Sequence, residues 1–569
     1  MEVKMKLIKI IIVALLSFTI IFTTACSKNE NAATTEKQEK KEQDKYEKLV
    51  KEKNDELELE PLEFTSYREE IKATITNPEY KLFAVNHELE ISGHVDKYHE
   101  LKGNYAWIKV NALDEINQNE IHHYYIPIND GDFKEKIHFY HGDGQYSIQV
   151  MLPATDKENY FYELTSFEVI NVNPKEKRDL TYSPIAQEAG LILDNIKDGF
   201  NTGDKLFSLN GKIKNTNIDE IMIEVKKETD QWQHVIPVKD GAFSHEIPLF
   251  FGKGVHEVSV LLPDKEKKNN YQYGTTLLVD NESSEKFEPI EYHVNYKERG
   301  ITLESPIFSG EKTETTYQIK GQIDPDAPYA KETTHLYIKS KKGDDEALDI
   351  IPIKDYTFDD SFFLRFGPGT YEVTINVPEL TIKDDSYFHF SSIAVFSIEN
   401  TVTEDNRDLL PSRGIQSDAP SIISLANEIT KDKQTDREKA LAIYEYTAKN
   451  VSYDVSKFKN KEFSWDDSAL KTLETKTGVC QDYAYLAVAL LRASNMEARY
   501  VTGEAGDGPL KEDHAWVEVL VDGNWLTMDP TWGAGYVDND TFVAKYTEEY
   551  FDPDKSKFNE THVRNKEEY

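Results

Sequence analysis

The chain has 569 residues, 103 of them acidic and 66 basic, for a formal net charge of −37, and 39% are hydrophobic. That composition excludes a multi-span membrane protein, and carboxylates interleaved with the lysines and arginines exclude the clustered basic surface that binding to nucleic acid requires. At roughly 100–200 residues per domain the length implies about three to five domains. The two cysteines, Cys26 and Cys480, stand too far apart to read as a disulfide framework.

Residues 1–25 place Lys4, Lys6 and Lys9 ahead of an uncharged run from Ile10 to Phe22 and then small residues up to Ala25, which is the anatomy of a signal peptide. The segment resembles the lipobox of bacterial lipoproteins, whose cysteine after the cut, here Cys26, becomes lipidated. Thr23 departs from that pattern, which usually has Leu there. Left uncut, the run from Ile10 to Ser27 is near the minimum length for a membrane-spanning helix. Either reading places the remainder at the cell membrane on its extracytoplasmic face, with the lipid bilayer as a partner through acylated Cys26. Residues 26–62 are mostly Lys, Glu, Asp, Asn and Gln, and are expected to form a disordered tether with transient helix near Glu47–Asp55.

Between residues 63 and 402 one pattern recurs three times at a period of roughly 110 residues. Its anchors are Gly93, Gly211 and Gly321, then Ile-Pro pairs ending at Pro127, Pro237 and Pro352, then Phe133, Phe243 and Phe358. Gly-x-Gly follows at Gly142/Gly144, Gly252/Gly254 and Gly367/Gly369, with a closing Pro at 153, 263 and 378. After each Gly-x-Gly apolar residues alternate, as in Tyr146, Ile148, Val150 and Leu152, the mark of a half-buried strand. Three antiparallel, Ig-like β-sandwich repeats are expected over 63–178, 179–288 and 289–402. The Gly-x-Gly lacks the third glycine and the following helix of a nucleotide-binding loop, and reads as a tight turn. His122, His123 and His141 have no counterparts in the other copies and read as solvated loop histidines, so no metal is expected.

Over 403–569 the periodicity turns helical, as at Ile422, Ile423, Leu425, Ala426 and Ile429. Gly478-Val479-Cys480 precedes a continuous helical run from Gln481 to Ser494, which puts Cys480 in a first turn, where unpaired amide N–H groups favour an anion. His514 opens an alternating strand that ends at Val521. Asp522-Gly523 makes a two-residue hairpin turn, so Val521 faces Asn524 and Trp516 faces Asp529. His514 and Asp529 then lie diagonally on one face, close enough for the carboxylate to orient the imidazole. Cys, His and Asp so arranged suit nucleophilic acyl transfer.

The strings Gly478-Val479-Cys480-Gln481-Asp482-Tyr483-Ala484, His514-Ala515-Trp516-Val517-Glu518-Val519 and Met528-Asp529-Pro530-Thr531-Trp532 resemble the transglutaminase-like superfamily, in the family's order. The resemblance covers about residues 410–569 and implies a papain-like α+β core with Cys480 as nucleophile, His514 as base and acid, and Asp529 as its orienter. The Cys480 backbone N–H is a candidate oxyanion donor, and Tyr483, Trp516 and Trp532 are candidate substrate-binding residues. No cofactor is implied, and no calcium loop of the EF-hand type stands in the chain.

The expectation is therefore a multidomain, lipid-anchored enzyme with three sandwich repeats and a catalytic domain, acting on amide bonds of surface proteins or cell-wall peptides through a thioester. Whether water or an amine attacks the thioester stays open, with hydrolysis favoured. The rival reading is a binding or adhesion lipoprotein whose repeats hold the partner and whose last domain is a scaffold.

Overall fold

The computed structural model describes residues 44–114, 120–267, 270–381, 388–506, 508 and 511–569. The expected signal peptide, Cys26 and the first part of the expected tether lie outside the described residues. The chain divides into two compact units, Met1–Lys286 and Phe287–Tyr569.

In the first unit the disordered tether expected up to residue 62 gives way to structure at residue 44. Residues 44–56 are helical, and the Asn54 side chain accepts from the Ala84 N–H at 2.6 Å and donates to its carbonyl at 3.3 Å. Ala84 belongs to Leu82–Val85, an edge strand, and Asn54 covers backbone groups that the edge would leave open. Two pairs of sheets follow. Ala73–Asn77, Glu88–Val95 and Asp132–His138 form a three-stranded sheet beside a five-stranded one that ends on Ile121–Pro127, and the arrangement returns over Ile192–Asn281. His122 and His123 sit on the strand Ile121–Pro127, not in a loop, and burial pushes the His122 imidazole down to about 3. The second unit opens with a third such pair between Glu291 and Asn400.

The recurring anchors serve one another. Gly93, Gly211 and Gly321 pair in register with Phe133, Phe243 and Phe358. A Cβ on any of these glycines would come within 2.5, 2.4 and 2.6 Å of the facing ring, so the ring lies flat on bare backbone. Gly142, Gly252 and Gly367 have φ of +73°, +73° and +74°, and each carbonyl accepts from the side-chain amide of Asn171, Asn281 or Asn400 at 2.7, 3.1 and 3.1 Å. The strand after the turn buries its alternate residues, as expected of Tyr371, Val373, Ile375 and Val377. One feature differs from an antiparallel sandwich: a short edge strand runs parallel to its neighbour in each pair, as Leu82–Val85 does beside Phe161–Asn171.

The rest of the second unit is α+β. Helices Pro420–Thr430, Asp436–Asn450 and Cys480–Ala493 pack on an antiparallel sheet in the order Asn524–Met528, Glu512–Val521, Ala498–Ala505, His562–Glu568. Cys480–Ala493 is apolar almost all round and buried from Asp482 to Arg492, as a central helix must be. The preceding sandwich is stitched to this domain. Arg407 makes a forked pair with Asp345 at 2.7 and 2.8 Å, Trp465 stacks on His335, and the Leu348 N–H donates to the Tyr569 carbonyl at 3.0 Å.

Asn400→Ala leaves the buried Leu364 carbonyl without the Asn400 donor and the Gly367 carbonyl with only the Tyr371 hydroxyl, 2.9 Å away. It is expected to destabilise the second unit by about 1–2 kcal/mol, read as a lower urea midpoint by circular dichroism.

Candidate active site

The helix that Cys480 opens is held at its first turn by a carboxylate. Asp482 reaches back to accept from the Val479 N–H at 2.7 Å and from Lys457 at 2.8 Å, and Lys457 also pairs with Asp467 at 2.9 Å. The three side chains are almost wholly buried, and a Cβ at Gly478 would lie 2.3 Å from the Asp482 Cβ. Glycine is thus required there so that Asp482 can close over the turn. Cys480 begins the helix and is half-buried, beside backbone N–H groups that have no helical acceptor.

His514 comes from the strand Glu512–Val521, and the hairpin register pairs Val521 with Asn524 and Val517 with Met528. Asp529 follows directly, and His514 Nε2–H donates to its Oδ2 at 2.8 Å. Cys480 lies near enough to the same imidazole to act on its charge. The structure therefore brings Cys480, His514 and Asp529 together, with His514 only 9% exposed and Asp529 sealed.

Asp529 also caps the short helix Pro530–Ala534. Its Oδ1 accepts from the Thr531 and Trp532 N–H groups at 2.9 and 3.2 Å. Oδ2 takes a second donor that the sequence reading missed, His562 Nε2, at 3.2 Å. His562 is completely buried at the head of the strand His562–Glu568. Its ring stacks on Phe558 at 3.8 Å, and Thr561 Oγ1 lies 2.8 Å from Nδ1. The run Val563 to Glu568 is polar on both faces, so alternation offered no hint that its first residue turns inward.

Burial alone would push the Asp529 carboxyl up, but His514 and His562 overcome it and hold the group well below the usual carboxylate range. Burial likewise opposes protonation of His514, yet the Asp529 carboxylate and Cys480 raise its imidazole to about 10. Ligand atoms of His514, Asp529 and His562 lie within 4.8 Å of one another, near enough for a cation. A metal there would have to replace both hydrogen bonds to Oδ2.

Two of the candidate substrate-binding residues do not reach a cleft. Tyr483 is fully buried and its hydroxyl donates to the Val451 carbonyl at 2.6 Å, while Trp516 is 1% exposed and packs against Val501 and Phe558. Both point to the core because their positions face the helix–sheet interior. Trp532 is half-buried, 6.0 Å from His514 and 4.6 Å from His562 between ring centres, and is the one of the three at the surface of the site.

Residues 423–530 match the family profile described as the transglutaminase-like superfamily. The kyphoscoliosis peptidase of Homo sapiens is 30% identical over 153 residues, covering 24% of this chain and 22% of that protein. The uncharacterized protein YebA of Bacillus subtilis (strain 168) is 29% identical over 189 residues, covering 29% of this chain and 24% of the other. A solved structure of a putative cysteine protease from Cytophaga hutchinsonii aligns over 57% of this chain and 78% of its own, with 15% identity and a TM-score of 0.21. The chain thus spans less than a quarter of the length of these curated relatives.

Asp482→Ala removes one partner of a buried pair and is expected to cost about 3–5 kcal/mol of stability, read by denaturant unfolding. The His514–Asp529 pair has its own pH signature. His514 is raised, so its contribution is full below the ordinary 6.5 and is lost as pH climbs to about 10. Asp529 is lowered, so its contribution is full above about 3.9 and is lost as pH falls through its depressed value. The difference in melting temperature between the wild type and Asp529→Asn should therefore be widest between about pH 4 and 6.5 and shrink toward pH 10.

Proposed function

We propose that this chain, which carries a transglutaminase-like domain over residues 423–530, is a cysteine acyl-transfer enzyme that cleaves amide bonds of surface proteins or cell-wall peptides. The observation that carries the reading is the His514–Asp529 hydrogen bond with Cys480 beside the same imidazole at a helix start. The Cys480 thiolate attacks the amide carbonyl carbon, and the developing oxyanion is met by the Cys480 backbone N–H. Protonated His514 gives its proton to the leaving nitrogen, the C–N bond breaks, and a thioester remains on Sγ. Neutral His514 then takes a proton from water as the hydroxyl attacks the thioester. The C–S bond breaks, the acid leaves, and the thiolate–imidazolium pair returns. Asp529 stays ionised throughout and keeps Nε2–H facing it, so the other ring nitrogen faces sulfur.

Hydrolysis is favoured over transfer to an amine because Cys480 is half-exposed, which lets water reach the thioester. The lipobox-like segment ending at Cys26 supports an anchor in the cell membrane, with residues 44–569 on the outer face. The three sheet pairs, each with the same Gly–Phe contact and Asn-closed turn, support three copies of one module between that anchor and the catalytic domain.

A second reading, a binding lipoprotein, is favoured by a groove of about 470 Å³ in the first unit, lined among others by Tyr124, Tyr125, Pro127, His138, Asp179 and Tyr182. Iodoacetamide labelling of the full chain, followed on the Cys480 peptide by mass spectrometry, separates the two. Rapid labelling near pH 6 that falls about tenfold or more in His514→Ala is the expected result for an activated thiolate. Slow labelling that the variant does not alter hands the function to the sandwich groove. Cys26→Ser is expected to release the chain from the membrane fraction.

A further inference from the structure

The acyl-transfer reading leaves one buried imidazole unused. His562 is 0% exposed, it is brought in by a strand on the opposite edge of the sheet from the hairpin strand Asn524–Met528, and its Nε2 points at the atom that orients His514. Resting on that reading, we propose that His562 is a positioning residue for the reaction: by donating to Asp529 Oδ2 it locks the carboxylate in the rotation that aims His514 at Cys480.

The geometry supports a lock over simple filling. Oδ1 is pinned by two backbone N–H groups at 2.9 and 3.2 Å, which fixes one end of the carboxylate. Oδ2 would otherwise be held by His514 alone, the group whose orientation it must dictate, at 2.8 Å. A second donor at 3.2 Å makes the Oδ2 position independent of His514. His562 is itself immobilised, stacked nearly parallel on Phe558, edge-on to Trp516 at 83° and flanked by Trp532. Its backbone is held in the sheet opposite Ala505.

The titratable groups that face this cluster are Cys480 on the nucleophile helix, Tyr444 on Asp436–Asn450, Tyr453 beside the Thr477–Gly478 strand, and Tyr483. Burial raises all three phenols well above 10, so they stay neutral across the range in which His514 titrates.

The test uses the full chain with His562→Phe, which fills the slot between Phe558 and Trp532 without a donor, and His562→Gln, which restores an N–H. The first readout is the titration midpoint of the His514 imidazole by nitrogen-detected NMR, assigned with His514→Ala. Expected is a fall of about one unit, tenfold in proton affinity, in the phenylalanine variant, and a return to near the wild-type midpoint with glutamine. The second is Cys480 alkylation near pH 6, expected to fall in parallel. A phenylalanine variant with an unchanged or raised His514 midpoint overturns the proposal, as does an equal fall in both variants, which is what loss of packing alone would give. Should the phenylalanine variant fail to unfold cooperatively, His562→Asn, whose amide is too short to reach Oδ2, takes its place with the same two outcomes. If wild-type Cys480 does not label near pH 6 while the midpoints move as expected, the acyl-transfer reading fails and the positioning role stands.

Discussion

The Asp529 carboxylate is an ionised group with no exposed surface, and such a charge costs several kcal/mol unless every lone pair finds a donor. Four donors meet it: two backbone amides of the helix it caps, one imidazole from the neighbouring hairpin strand and one from the far edge of the sheet. The four donors ride on three pieces of backbone, so the hairpin register, the start of Pro530–Ala534 and the docking of His562–Glu568 are all constrained by one side chain. A slip of one residue in the hairpin would turn His514 to the opposite face and leave the charge short of a partner.

The Cys480 side repeats the device. Asp482 is likewise buried, likewise caps a helix start and likewise draws in a cation from another element, Lys457. A carboxylate within the helix, closing over the residue before Cys480, fixes that turn from behind and leaves the sulfur side open. One buried carboxylate thus fixes the turn that precedes Cys480, and the other fixes the imidazole of His514.

Much of this could be read from residues alone where the physics is local. Asp522-Gly523 set the hairpin register, and from it followed the diagonal placement of His514 and Asp529. The Gly-x-Gly turns and the glycines beneath Phe133, Phe243 and Phe358 announced themselves by recurrence. What escaped depends on contacts distant in the chain. His562 lies in a run without alternation and meets Asp529 only after the strand crosses to the far edge. Asn171, Asn281 and Asn400 recur as faithfully as the glycines, but a single polar residue at the end of an apolar strand reads as solvent-facing until the turn carbonyls it serves are seen. Tyr483 and Trp516 belong to motifs rich in chemistry, and an aromatic beside a nucleophile suggests a cleft wall, yet period and face assign both to the core. The helix over residues 44–56 was expected only as a transient one near Glu47–Asp55, because what docks it is an asparagine amide against an edge strand distant in the chain.

Edge strands are the parts of a sheet most prone to peel, because one side of the ladder is missing. The strand His562–Glu568 is such an edge, and so is Asp345–Pro352 of the adjoining sandwich. The Leu348 N–H reaches from the second to the carbonyl of Tyr569, just beyond the end of the first, while the Tyr569 ring packs edge-on against Phe366 and its hydroxyl donates to Asp408 at 2.9 Å. Clasped there at one end and by Asp529 at the other, the strand has no loose end from which unzipping could begin. The clasp at Tyr569 stands about 20 Å of strand away from the buried carboxylate. The sandwich thus buttresses the same edge strand that delivers His562.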